Sequence, residues 1–187
     1  MKNVFYWSIV AALAGLLFGF DTVVISGADK KLQNLWESSD GFHGTVVMGM
    51  ALWGTVVGAL FGSFPTQRLG RKTTLFWIGV LYTISAVGSA LSNDPIVFAV
   101  FRFIGGLGVG ISTIAAPAYI SEIAPPKDRG RLVGLYQFNL VFGILLAFLS
   151  NYLLSDIGDN AWRWMMGVEA FPAILFTLLC LTIPKSP

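Results

Sequence analysis

Six stretches of roughly twenty mostly apolar residues, separated by short charged clusters, follow one another along this 187-residue chain. A hydrocarbon core about 30 Å thick is crossed by about twenty helical residues rising about 1.5 Å each, so every stretch can span a bilayer. By the run-length criterion the spans cover roughly residues 7–28, 42–66, 74–92, 96–120, 132–154 and 163–183. The expected fold is an all-α membrane protein of six transmembrane helices. Tyr6, Trp7, Trp36, Trp162 and Trp164 cluster near span ends, as side chains with one apolar and one polar end do at a membrane–water boundary.

Composition narrows the function classes. The chain is 55% hydrophobic and only 12% charged, whereas a soluble domain carries about 25% charged residues because its surface faces water. A formal net charge of +2 and the lack of a basic stripe with interleaved aromatics exclude nucleic acid as a partner. One cysteine, Cys180, cannot form a disulfide within the chain or a thiolate metal site. The single histidine, His43, falls near a helix start and is expected to be a solvated loop residue. Without a Ser/His/Asp set or a cluster of metal ligands, no enzyme is expected. The first apolar run reaches about Ala28 and contains Asp21, which makes it a membrane helix rather than a signal peptide with its h-region of about 7–15 residues.

Basic residues set the expected orientation. Of the 12 Lys and Arg residues, eight (Lys2, Arg68, Arg71, Lys72, Lys127, Arg129, Arg131, Lys185) lie on the side of the termini, three (Lys30, Lys31, Arg163) on the opposite side, and Arg102 within a span. The positive-inside rule then places both termini in the cytoplasm. Asp29, Glu37, Asp40, Asp94, Asp156 and Asp159 all fall outside, and Asp29 to Gly41 forms the longest external loop. Gly105, Gly106, Gly108, Gly110 and Pro117 crowd the fourth span. In lipid such residues let backbones approach closely, and no preceding strand supports a phosphate-binding loop there.

Two charges inside the membrane stand out. Asp21 is expected near the middle of the first span and Arg102 in the outer part of the fourth. An isolated charge at the centre of a membrane helix costs about 2.5–3.5 kcal/mol on insertion scales. Opposite charges that meet lower each other's cost. Transporter halves are often built from three-helix units repeated with inverted topology, with the sites at their interface. On that reading residues 1–95 form a first unit and 96–187 a second, and spans one and four are neighbours around the transport path. A carboxylate that takes a proton when the Arg moves away would be a switch; a static ion pair locking the bundle is the alternative. Glu169, about two turns from the outer end of the sixth span, is expected to serve a nearby polar group.

These residues resemble a family. Gly19-Phe20-Asp21-Thr22-Val23-Val24-Ile25-Ser26-Gly27 is similar to the first-helix signature of the sugar porters of the major facilitator superfamily. Arg68-Leu69-Gly70-Arg71-Lys72 resembles the superfamily's loop motif between helices two and three. The fourth span, Arg102 to Gly110 and then Pro117 to Pro125, is similar to the family's fourth helix, and Arg129-Gly130 completes its Glu-to-Arg spacing. Trp162-Arg163-Trp164-Met165 and Pro184-Lys185-Ser186-Pro187 resemble the opening and close of the sixth. The likeness runs the whole length in order.

The resemblance implies the N-terminal half-bundle of the major facilitator fold and transport of a hexose or pentose by alternating access. It assigns proton coupling to Asp21 and Arg102, sugar contact to Phe18, Gln137 and Ile144, and a cytoplasmic charge network to Arg71, Glu122 and Arg129. Gln137, an amide in an apolar helix, suits either a sugar hydroxyl or a neighbouring helix's backbone. No cofactor is implied; the proton is the coupling ion. The partners implied are a monosaccharide, the lipid bilayer of the plasma (inner) membrane, and a C-terminal six-helix half on the same or a separate chain, since the sequence stops at Pro187 where the family continues. Gln67 stands where an acidic residue is usual, and Lys185 where the family has Glu. The readings to separate are a proton-linked symporter, a passive uniporter, a non-transporting half-chain that only assembles, and a homodimeric half-transporter.

Overall fold

A polypeptide in hydrocarbon must satisfy its own backbone, and the chain does so almost entirely as helix. The computed structural model describes residues 2–186; Met1, the Lys2 side chain and Pro187, the last residue of the closing motif, lie outside the described residues. Among the described residues, six helices are long and apolar enough to cross a membrane: Asn3–Gly27, Asp40–Phe61, Arg71–Leu91, Pro95–Ile123, Arg129–Leu154 and Ala161–Thr182, hereafter spans 1 to 6. They match the six expected spans within a few residues. The largest shifts are at the end bearing the termini: span 2 stops at Phe61 and a short helix, Ser63–Arg68, follows it, while span 4 runs on to Ile123.

Local chemistry fixes the ends. Asp94 caps span 4, its Oδ1 accepting from the Ile96 N–H at 2.8 Å and the Val97 N–H at 3.2 Å. Pro95 takes the first helical position, where no N–H is needed. Gly70 turns the chain between Ser63–Arg68 and span 3 with φ +83°, a conformation that favours glycine.

Span 1 packs most extensively on span 5, span 2 on span 4, and span 3 on spans 4 and 6. Small residues set these approaches. A side chain added at Gly19 would meet the Leu140 carbonyl and one at Gly143 the Leu16 carbonyl, so spans 1 and 5 touch backbone to backbone. Gly106 and Gly110 meet the carbonyls of Ala51 and Thr55 across the span 4–span 2 contact in the same way. The glycine run thus serves close packing, as its composition suggested.

Buried apolar side chains form two clusters. One fills the half nearer the termini, around Leu17, Leu75, Ile78, Tyr119, Phe176 and Cys180. The other fills the opposite half, around Val24, Leu32, Phe98, Trp162 and Met165. There Trp36 packs its ring on Phe98 and Trp162, at centroid distances of 5.4 and 6.0 Å. The loop after span 1 is structured: Asp29–Leu35 is helical, with Leu32 buried. His43 therefore departs from the expected solvated position. It is 4% exposed, its Nε2 lies 2.7 Å from Asp29 Oδ1, and its Nδ1 lies 3.2 Å from Ser38 Oγ. The loop helix folds back over the start of span 2, a π-helical stretch His43–Met48, and covers the imidazole.

Overpacking a tight site costs about 1–3 kcal/mol. Gly19→Val should therefore lower the thermal midpoint of the purified chain in detergent by about 5 °C. Gly134→Ala, where an added carbon meets nothing within 4 Å, should leave it nearly unchanged.

Candidate functional site

Between the two apolar clusters lies a polar layer, and its centre is an ion pair. Asp21 lies six residues from the end of span 1 and Arg102 seven residues into span 4. The two helices run in opposite directions, so both residues lie about 10 Å deep from the same face. Asp21 is thus midway between the middle of its span and the end opposite the termini. That shared depth brings the two side chains together.

The contact is close and three-fold. Arg102 Nη1 donates to Asp21 Oδ1 at 2.6 Å, and Nη2 donates to Oδ2 at 3.4 Å and to the Asp21 backbone carbonyl at 2.9 Å. Both side chains are at most 2% exposed. A planar fork held by both carboxylate oxygens and a carbonyl is the geometry that suits guanidinium, and a lysine ammonium could not reproduce it. Gly105, one turn from Arg102, has no side chain, which lets Ser85 of span 3 pack against span 4 beside the pair.

Glu169 joins this layer. It is 1% exposed, its Oε1 has no hydrogen-bond partner, and its carboxyl lies within the fields of both Asp21 and Arg102. The polar group nearest it is the ion pair itself. One guanidinium therefore faces two buried carboxyls, only one of which it binds. Around them Ser112 Oγ lies 3.2 Å from Tyr136 Oη, and Asn151 Nδ2 donates to the Val24 carbonyl at 3.1 Å.

A cavity of about 320 Å³ reaches the pair from the face opposite the termini. Asp21 and Arg102 line its wall with Thr22, Ser26, Gly44 and Met48, and it runs past the pair to Thr55 and Val109, so spans 1, 2 and 4 enclose it. The remaining expected site residues are placed as follows. Phe18 is half-buried against the cluster nearer the termini, Ile144 half-buried against Gly19, and Gln137 exposed on span 5. Among the described residues Gln137 makes no hydrogen bond, so its amide does not hold a neighbouring helix's backbone. At the end bearing the termini, Arg71 Nη2 pairs with Glu122 Oε1 at 2.8 Å, joining the start of span 3 to the last turn of span 4. Arg129 is exposed at the start of span 5 and forms no ion pair among the described residues.

The sequence model of a family described as "Sugar (and other) transporter" matches residues 7–187. The chain is 38% identical to the D-xylose-proton symporter of Escherichia coli (strain K12) over 98% of its own length and 44% of that protein. It is 41% identical to the glucose transport protein of Synechocystis sp. over 100% of its length and 42% of that protein. Its structure is similar to the major facilitator superfamily proton:xylose symporter XylE bound to 6-bromo-6-deoxy-D-glucose, with TM-score 0.92 and 35% identity, covering 100% of this chain and 46% of that one. The chain thus spans less than half the length of the relatives it matches.

Removing one partner of a buried ion pair strands the other and costs about 3–5 kcal/mol, while replacing both can be neutral. Arg102→Leu should therefore lower the melting midpoint in detergent well below that of the Asp21→Asn/Arg102→Leu double variant. Equal losses in the two would show that the pair is not coupled.

Proposed function

The chain belongs to the sugar transporter family of the major facilitator superfamily, and on that premise we propose that it forms the N-terminal six-span half of a proton-coupled monosaccharide symporter. The observation that carries this reading is the Asp21–Arg102 pair in the wall of a cavity between spans 1, 2 and 4. A sealed pair could only lock the bundle. A pair reached by water can exchange a proton.

In this reading both termini lie in the cytoplasm of the plasma (inner) membrane, in line with the eight-to-three distribution of basic residues. The cavity then faces outward. A proton from outside water neutralises the Asp21 carboxylate and breaks its charge attraction to Arg102. The guanidinium cannot give up its own proton, so it turns to the free oxygen of Glu169. That exchange changes what holds span 1 to spans 4 and 6, and it links protonation to helix movement. Sugar occupies the face formed by Phe18, Gln137 and Ile144, with the exposed Gln137 amide offering both donors and an acceptor to hydroxyls. The reciprocal packing of span 1 on 5 and span 4 on 2 supports two three-helix units, residues 1–95 and 96–187. Spans 2 and 5 are the least covered of the six, which suits contact with lipid and with a C-terminal six-helix half. The Arg71–Glu122 pair latches the cytoplasmic ends of spans 3 and 4 while the outer face is open, with Arg129 nearby in sequence to join it.

The test is uptake of labelled xylose, arabinose and glucose by vesicles containing the chain together with its C-terminal half. Accumulation against a gradient should collapse when a protonophore is added. Asp21→Asn should abolish accumulation, by at least about tenfold for the loss of one charge-assisted pair, yet retain equilibrium exchange of the same sugar. Accumulation that ignores the proton gradient and survives Asp21→Asn would mark a uniporter. Uptake by neither form would mark a half that only assembles.

A further inference from the structure

Two hydroxyls beside the ion pair have no hydrogen-bond partner. Ser85 and Tyr82 are buried on span 3, at 1% and 0% exposure, and neither Ser85 Oγ nor Tyr82 Oη is satisfied among the described residues. Their spacing of three puts them on one helix face. That face meets the stripe Arg102, Gly105, Gly108 and Ser112 of span 4. A carbon added at Gly105 would touch Ser85 Oγ and would lie 3.5 Å from Asp21 Oδ1, so the serine and the carboxylate flank the same gap. A carbon at Gly108 would lie 3.8 Å from the Tyr82 ring. The Tyr82 hydroxyl lies within the field of Asp21 and beside Ser112.

We propose that Ser85 and Tyr82 are positioning residues of the coupling site, which take up the hydrogen bonds of the protonated Asp21 carboxyl once Arg102 has left it. The proposal rests on the proton-symport reading above and deepens it. While Arg102 holds Asp21, both carboxylate oxygens are engaged and the two hydroxyls go unpaired. A protonated carboxyl has one O–H to donate and one oxygen still able to accept. Its O–H donates to Ser85 Oγ and the Tyr82 O–H donates to the other oxygen, so three buried groups are satisfied together. The only covalent change is the O–H bond of Asp21, made with a proton from cavity water and broken again to water on the far side. The groups facing Asp21 are Arg102 from span 4, Glu169 from span 6 and Tyr82 from span 3. Tyr136 of span 5 reaches the layer through Ser112, and the span 2 residues lining the cavity do not titrate.

The sign follows from which form the hydroxyls hold. They stabilise the protonated form, so without them more acid is needed to reach it. One neutral hydrogen bond corresponds to a shift of about half to one pH unit. The alternative is simple interhelical adhesion, which would change protein level and exchange rate but not a titration midpoint.

The experiment measures initial uptake across a pH series in vesicles holding the chain and its C-terminal half, with whichever of xylose, arabinose or glucose is carried best. Ser85→Ala and Tyr82→Phe should each move the pH midpoint of uptake toward acid by about half to one unit, and the double variant further. Equilibrium exchange at low pH should stay within about twofold of the parent, because neither buried hydroxyl belongs to the proposed sugar face. Ser8→Ala, which deletes another unpartnered buried hydroxyl far along span 1, should leave the midpoint in place. Unmoved midpoints in Ser85→Ala and Tyr82→Phe, an equal shift in Ser8→Ala, or exchange falling in step with uptake would each overturn the proposal. Failure of the symport reading has a different signature: parent uptake with no pH dependence, and undiminished accumulation by Asp21→Asn.

Discussion

A carboxylate and a guanidinium facing each other inside an apolar bundle are the constraint around which the rest of this structure is arranged. Either charge alone in a membrane helix carries a penalty of several kcal/mol, roughly 3 on insertion scales and more by other estimates. Meeting removes much of it only if the helices come close enough for a two-armed contact at the right depth. Span 1 supplies Asp21 six residues from its end, and span 4 supplies Arg102 seven residues from its start. The two run antiparallel, so the counts agree. Moving either residue by one turn would separate the charges by about 5 Å and return the full penalty to each.

The small residues follow from the same need. Gly105 lets span 3 and span 1 close around the pair, while Gly19, Gly143, Gly106 and Gly110 let the flanking helices press backbone to backbone. Lipid gives helices no hydrophobic drive to associate, so this close contact is what holds the bundle. The two apolar clusters then act as insulation on either side of a polar layer that contains Asp21, Arg102, Glu169 and Ser85 and belongs to neither. Insulation matters because charge interactions strengthen where water is excluded.

The six spans were legible because bilayer thickness sets a length that a sequence either meets or does not. Asp21 and Arg102 were legible because charge in an apolar run has few explanations. Other residues were hidden for identifiable reasons. Glu169 sits in a span whose depth had to be counted from an uncertain edge, so its alignment with the pair was invisible. His43 was read as solvated because it falls near a helix start; the fold-back of Asp29–Leu35 that buries it is a tertiary event. Ser85 and Tyr82 are ordinary residues for a membrane helix, and only the register of span 3 against Gly105 and Gly108 gives them meaning. Arg129 was assigned to the cytoplasmic network by the resemblance alone, and it starts its own helix in an exposed position.

The choice of arginine decides how such a site can respond to acid. A lysine could lose its proton in an apolar setting and let the pair dissolve as two neutral groups, leaving nothing to drive a rearrangement. An arginine keeps its charge. When the proton comes, it must land on a carboxyl, and the guanidinium must then find another anion or stand unpaired in oil. Glu169, buried with a free oxygen and in the field of both partners, is the carboxyl within reach of that role on the proposed reading. The hydroxyls of span 3 stand where the newly neutral Asp21 needs them. On the proposed reading, each protonation state of Asp21 draws its hydrogen bonds from different helices, and the passage from one set to the other couples a proton to a movement of spans.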